Sequence, residues 1–239
     1  TGFGLAAIKT EGAGIAYDSQ EQGFVNRYVN VTYGLGFIIT REMYEDGIAV
    51  TVALRRASAL AFSIRQTKEI VGANVLNRAF NGDYTMGANS DGVELCSALH
   101  PNKSGGTWSN EPATASDLNE LALEQACIDI AGYTTDRGLT IAIMPQQLII
   151  PKNLEFEAHR ILDSIGQSGN ANNDINVIRS TQKFPKGITV NHYLTDTDAW
   201  FIKTNCPDGL KYKERRADSF GTEQDFDTEN AKFKATFRG

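Results

Sequence analysis

Of the side chains in this 239-residue chain, its three histidines, His100, His159 and His192, are best suited to proton transfer near neutral pH. None stands at metal-ligand spacing from another, and none lies in H-E-x-x-H or beside a C-x-x-C pair. His100 precedes Pro101 in a stretch that reads as loop, where a turn histidine satisfied by local hydrogen bonds is the leading interpretation. A general base working with a nearby carboxylate, and so a hydrolytic enzyme, is the remote alternative. His159 falls on an expected helix and His192 on an expected strand beside Tyr193, both as ordinary surface or partly buried residues.

Other chemical signals are weaker. Gly166-Gln167-Ser168-Gly169 is half of a nucleophile elbow, with the wrong spacing and after a helix instead of a strand. Gly2-Phe3-Gly4-Leu5-Ala6-Ala7 matches G-x-G-x-x-A but has no strand before it, so it reads as an arm. Asp225-Phe226-Asp227 could hold a hard cation, yet lacks the glycine and terminal glutamate of an EF-hand loop. Asp196 with Asp198, and the run through Glu223 and Glu229, read as solvated turns. Arg55, Arg56, Arg65 and Lys68 place positive charge on one expected helix, as an ion-paired face before a polyanion contact. No catalytic, cofactor-binding or metal-binding set is expected, and a chain of this length without one acts by shape.

Composition agrees. Hydrophobic residues make up 41% and charged residues 22%, as in soluble globular proteins. A net charge of −6 argues against binding nucleic acid through a basic surface, though not against enclosing it. No apolar run reaches membrane-spanning length. Cys96, Cys127 and Cys206 are odd in number and widely spaced, which reads as reduced thiols made in a cytoplasm. The chain starts at Thr1, so either a leader has been removed or a terminal segment is missing.

The elements that must position these residues are organised around residues 44–80. Apolar side chains recur there at Ile48, Val52, Ala57, Leu60, Ala61, Ile64, Val71, Val75 and Ala79, which predicts one helix roughly 50 Å long, stopped by Asn81-Gly82-Asp83. Before it, Val29, Val31, Tyr33, Leu35, Phe37 and Ile39 alternate with polar residues and glycine, a strand that we pair with residues 14–17 in a long hairpin. Its exposed edges invite partners. After the helix comes an irregular segment, then a helix capped by Ser116 and ended by Gly132. Short strands are expected at 139–143 and 148–150. A helix follows from Asn153 to Gly166, then a polar loop to Asn173, and three strands of a small sheet at 175–178, 188–190 and 200–202. One or two strands close the chain, with Phe233 and Phe237 on one parity. This order is α+β with two lobes.

Several short segments, in this order, resemble a known family. They are Tyr33-Gly34-Leu35-Gly36-Phe37-Ile38-Ile39-Thr40-Arg41-Glu42, the helix exit Asn77-Arg78-Ala79-Phe80, and Asp91-Gly92-Val93-Glu94-Leu95-Cys96-Ser97-Ala98-Leu99-His100-Pro101 followed by Gly105-Gly106 and Asn110. Residues 145–162, Asn173-Asp174-Ile175-Asn176, Tyr193-Leu194-Thr195-Asp196 and Ala199-Trp200 continue it. The chain is similar to tailed-bacteriophage major capsid proteins of the HK-97-type fold, in the Mu-like major head subunit group, over most of residues 14–216.

The resemblance implies an α+β HK-97-type capsid fold with an extended β-hairpin loop, a long spine helix, a peripheral lobe and an axial lobe. Residues 1–32 would be the N-terminal arm and extended hairpin loop. Residues 33–110 with 208–239 would form the peripheral lobe around spine helix 44–80, and residues 111–207 the axial lobe. Copies would assemble as pentamers and hexamers into an icosahedral head shell, a virion structure built in the host bacterial cytoplasm. It would enclose double-stranded DNA without reading its sequence, with no membrane and with portal, scaffolding or decoration proteins as further partners. Subunit contacts are expected at Tyr17, Tyr28, Val29, Arg55, Arg56 and Arg65. An encapsulin-type compartment shell is the alternative within the same fold. Lys9 is the only lysine before the long helix, and nothing supports a covalent crosslink there. Similar proteins continue past the equivalent of Gly239.

Overall fold

A computed structural model of the protein describes residues 2–20, 22–25, 28–82, 91–167, 174–207 and 209–239. In chain order the elements are β1 (Thr32–Ile39), α1 (Arg41–Glu45), α2 (Ala49–Asn77), β2 (His100–Pro101), β3 (Thr107–Trp108) and α3 (Glu120–Ala131). They continue with β4 (Pro145–Pro151), a 3-10 turn (Lys152–Leu154), α4 (Glu155–Asp163), α5 (Val177–Ser180), β5 (Ile188–Asn191), β6 (Phe201–Thr204), β7 (Arg216–Gln224) and β8 (Ala231–Arg238). The chain divides into two units: Thr1–Arg27 with Leu76–Pro207, and Tyr28–Val75 with Asp208–Gly239.

The second unit is an antiparallel sheet in the order β1-β8-β7, with α2 packed on it. Alternation along β1 and β8 sends Tyr33, Phe37, Phe233 and Phe237 to one face, where Tyr33 stacks on Phe237 at 5.0 Å and Phe37 on Phe233 at 4.7 Å. Leu60 and Ile64, one turn apart on α2, close over Ala235 and Phe237 to complete this core. A side chain at Gly36 would bring its Cβ within 2.5 Å of the Phe233 carbonyl oxygen, so only glycine fits this register.

Two sequence expectations change here. The strand containing β1 does not pair with residues 14–17, which form no strand; its partner is β8, near the far end of the chain. Alternation identifies a strand but carries no record of its neighbour. The single helix expected over 44–80 is also two helices. Gly47 adopts φ +73, a left-handed conformation that ends α1, whose own start is capped by the Thr40 hydroxyl accepting from the Met43 amide at 3.4 Å. The long helix is therefore Ala49–Asn77, and part of the expected stop, Asp83, lies outside the described residues.

In the first unit, β4 is central to a three-stranded sheet, parallel to β5 and antiparallel to β6. Leu148 and Ile150 of β4 are fully buried against Leu123 and Cys127 of α3, Ala158 and Ile161 of α4, Ile178 and Phe184. Each such aliphatic side chain contributes about 1.5–3 kcal/mol of burial. The apolar face expected for α3, namely Leu123, Ala126, Cys127 and Ile130, is the buried one, and Gly132 ends the helix. Its cap is Asn119, not Ser116: the Asn119 side chain accepts from the Ala122 amide at 2.8 Å.

Three further expectations are corrected. Residues 139–143 make one isolated bridge, Thr134 to Thr140, instead of a strand. Helix α4 stops at Asp163, before Gly166. Residues 175–178 are not a strand: Asn176 caps the short α5, accepting from the Arg179 amide at 3.1 Å, and the third strand of the sheet is β4. A buried asparagine between two apolar residues imitates strand alternation, while its side chain selects a helix start. The polar loop expected to Asn173, with Ser168 and Gly169 of the partial elbow, lies largely outside the described residues.

Candidate functional site

Proton-transfer candidates resolve first. His100 opens β2 and is 6% exposed. Its Nδ1 meets the Asp91 carboxylate at 2.6 Å, and its ring stacks on Trp108 of β3 at 4.6 Å, with Tyr133 edge-on to that tryptophan at 6.1 Å. His100 Nε2 is buried and has no hydrogen-bond partner. A general base must reach a proton on its substrate, and this imidazole is enclosed. The turn reading of His100 therefore becomes that of a buried ring at the start of β2, hydrogen-bonded to Asp91. His159 pairs with Asp163 at 2.6 Å on the exposed face of α4, and His192 is the exposed residue after β5, not a strand residue. Among the described residues, no group of three metal-ligating side chains converges. The carboxylate of Asp225 is occupied by Lys232 at 2.6 Å and Thr228 at 2.9 Å, which hold it below the usual carboxylate range. No helix among the described residues is long and apolar enough to cross a membrane.

Around His100, residues 91–111 fold on their own hydrogen bonds. The Asn110 side chain accepts from the Ser97 amide at 2.8 Å and donates to the Leu95 carbonyl at 2.7 Å, and the Asn110 amide returns to the Ser97 carbonyl at 3.2 Å. Burial, with the Glu111 charge adding to it, pushes the Cys96 thiol up to about 11. This segment is tied to the helix exit: the Cys96 amide donates to the carbonyl of fully buried Ala79 at 2.8 Å. Two residues earlier, Asn77 donates to the Tyr193 carbonyl at 3.0 Å and accepts from the Thr195 amide at 3.0 Å, and Phe80 stacks on Phe201 at 5.9 Å. Three of the short sequence segments that carry the resemblance thus meet at residues 77–80. Spacing alone gave no sign of that junction.

The six residues expected at subunit contacts divide between the units. Tyr17 belongs to the first unit and is 96% exposed; Tyr28, Val29, Arg55, Arg56 and Arg65 belong to the second, all exposed. The cations do not share one helix face. Nine residues at about 100° each set Arg56 and Arg65 half a turn apart. Arg56 turns to the sheet and donates to the Ile38 carbonyl at 2.8 Å. Lys68 does likewise, pairing with Glu214 at 2.9 Å and Asp218 at 2.6 Å, and lying 5.1 Å from the Phe237 ring centroid. Asp218 and Glu214 hold the Lys68 ammonium above its ordinary range. Arg55 and Arg65 remain in solvent beside the exposed apolar side chains of Val50, Leu54 and Phe62 on the same helix. Apolar and basic side chains are thus mixed on this exposed side of α2.

A family model described as "Phage capsid protein" matches residues 26–238. No curated protein matches the chain.

Proposed function

Because the chain belongs to the phage capsid protein family, we propose that it is the major capsid subunit of a tailed bacteriophage, with an HK-97-type fold of the Mu-like group. It is a structural protein of the virion, and the family is not an enzymatic one. In this reading copies associate as pentamers and hexamers into an icosahedral shell around double-stranded DNA, assembled in the host cytoplasm. Residues 111–207 form the axial lobe, and residues 33–110 with 208–239 the peripheral lobe around α2. Residues 1–32 reach a neighbouring copy.

The family match across nearly the whole chain carries this proposal. It is supported by the exposed surface of α2, where Leu54 and Phe62 stand in solvent beside Arg55 and Arg65. A helix of 29 residues packed along a three-stranded sheet offers a long face to partners. Closed symmetry lets many modest contacts of this kind sum to a stable particle. The match is to a phage family, so the encapsulin-type alternative has no observation in its favour. Light scattering and negative-stain electron microscopy of purified protein test the proposal. Discrete capsomers or closed shells are expected; a strict monomer at high concentration overturns it.

A further inference from the structure

Asn81 and Gly82 follow one another just past the end of α2, both exposed, and no other Asn-Gly pair occurs in the chain. The Asn81 backbone amide donates to the Arg78 carbonyl at 3.0 Å. Among the described residues, nothing hydrogen-bonds the Asn81 carboxamide or the Gly82 backbone N–H. Asparagines nearby are held instead. The Asn77 carboxamide lies between the Tyr193 carbonyl and the Thr195 amide, and that of Asn110 between the Ser97 amide and the Leu95 carbonyl.

The carboxamide carbon of an asparagine is an electrophile within ring-closing reach of the next residue's backbone nitrogen. A side chain on that next residue obstructs the approach, and a hydrogen bond to either group holds the two apart. Glycine has no side chain and samples backbone conformations closed to other residues. Asn81 and Gly82 therefore combine a free electrophile, a free nucleophile and an open path in solvent.

We propose that Asn81 is a site of spontaneous covalent modification, deamidation through a cyclic imide. The Gly82 nitrogen attacks Asn81 Cγ, the new N–Cγ bond forms and the Cγ–Nδ2 bond breaks. The Gly82 proton leaves with Nδ2 as ammonia. Water then adds to one imide carbonyl and breaks its bond to the Gly82 nitrogen, leaving aspartate, or isoaspartate when the main-chain carbonyl is the one released. Water is the only co-reactant, and nothing is oxidised or reduced.

The product carboxylate arises where negative charge is unfavourable, just past the carbonyl end of α2. Its neighbour Gly82 already lies against Glu94, whose Oε2 is 3.8 Å from the place a Cβ on that glycine would take. Two residues before Asn81, the carbonyl of buried Ala79 holds the Cys96 amide at 2.8 Å. The modification thus loosens the tie between the helix exit and residues 91–111 and opens the Cys96 thiol to solvent. It does not depend on the shell reading.

The experiment incubates the purified full chain in mildly alkaline buffer and follows each asparagine by peptide mapping with mass spectrometry. Asn81 is expected to convert several-fold faster than Asn77 and Asn110, giving both aspartate and isoaspartate. Gly82→Ala should slow the conversion several-fold without disturbing the fold, because the added Cβ would make only an ordinary contact with Glu94. Aged wild-type protein should react with iodoacetamide at Cys96 several-fold faster than fresh protein, and aged Gly82→Ala protein should not. An Asn81 that converts no faster than Asn77, or equally fast in Gly82→Ala, overturns the proposed site. Deamidated protein with unchanged labelling at Cys96 overturns the coupling to residues 91–111.

Discussion

Asp91 and His100, nine residues apart, meet at 2.6 Å with the imidazole buried, and the Trp108 ring lies flat against it. The pair fastens the segment that also holds Ala79 at the end of the long helix. His100→Gln and Asp91→Asn should each lower the stability of the first unit by about 1–3 kcal/mol, the range for removing one partner of a buried charge-assisted hydrogen bond. Denaturant unfolding checks this. No loss of a catalytic rate is expected, because the ring is closed to substrate.

Phe237 is 1% exposed, stacked on Tyr33 and covered by Leu60 and Ile64. Phe237→Ala should cost about 3–5 kcal/mol, the range for emptying a buried aromatic site. Thermal unfolding should show the loss in the second unit, and shell yield should fall with it.

Lys68 links α2 to the last sheet through Glu214 and Asp218. Its ammonium is held above the ordinary lysine range by those carboxylates. A raised folded-state value means that the stabilisation is complete below the unfolded value of about 10.4 and disappears as pH rises through the folded one. Wild-type stability should therefore decline on the alkaline side, and Lys68→Met should remove that part of the decline. Each partly exposed pair contributes about 0.2–1 kcal/mol, and added salt should shrink the effect.

Arg55→Glu with Arg65→Glu changes two solvent-facing charges on α2. Folding stability should move by less than about 0.5 kcal/mol, as for surface substitutions in general. Assembly should fail or need a much higher concentration. Sedimentation velocity separates the two effects, and normal particles from this variant would remove α2 from the contact surface.

Thiol chemistry gives a simple check of the packing. Cys206 is exposed, Cys127 is buried, and burial pushes Cys96 up to about 11. At pH 8, iodoacetamide should label Cys206 rapidly and spare the other two until the protein is unfolded, since the thiolate is the reacting form. Mass spectrometry of timed samples reads this directly.

How far the sequence could be read depended on whether a signal was local. Helical spacing located α2 and the buried face of α3, and alternation located β1, β5 and β8. The break at Gly47 was legible only as a glycine, because a left-handed φ is set by how the flanking segments pack. Pairing of β1 with β8 was not legible: two strands separated by nearly the whole chain carry no mark of each other. The same holds for the residues proposed at subunit contacts. Arg55, Arg56 and Arg65 were visible as charges, but only the structure turns Arg56 towards Ile38 and leaves the other two in solvent. The ion pair of Asp18 with Arg137 escaped for a similar reason: the two lie 119 residues apart, and a lone Asp in a glycine-rich arm announces nothing.

The pairing of β1 with β8 also sets a schedule for synthesis. A ribosome releases residues 76–207 as one continuous stretch, so the sheet β5-β4-β6 and its helices can fold while translation continues. The sheet under α2 cannot. β1 waits with an open edge until β8, which carries Phe237, emerges. The surface of α2 thus acquires its backing only once β8 has been made. A prematurely terminated chain would lack that backing, so quality control of this subunit is written into its strand order.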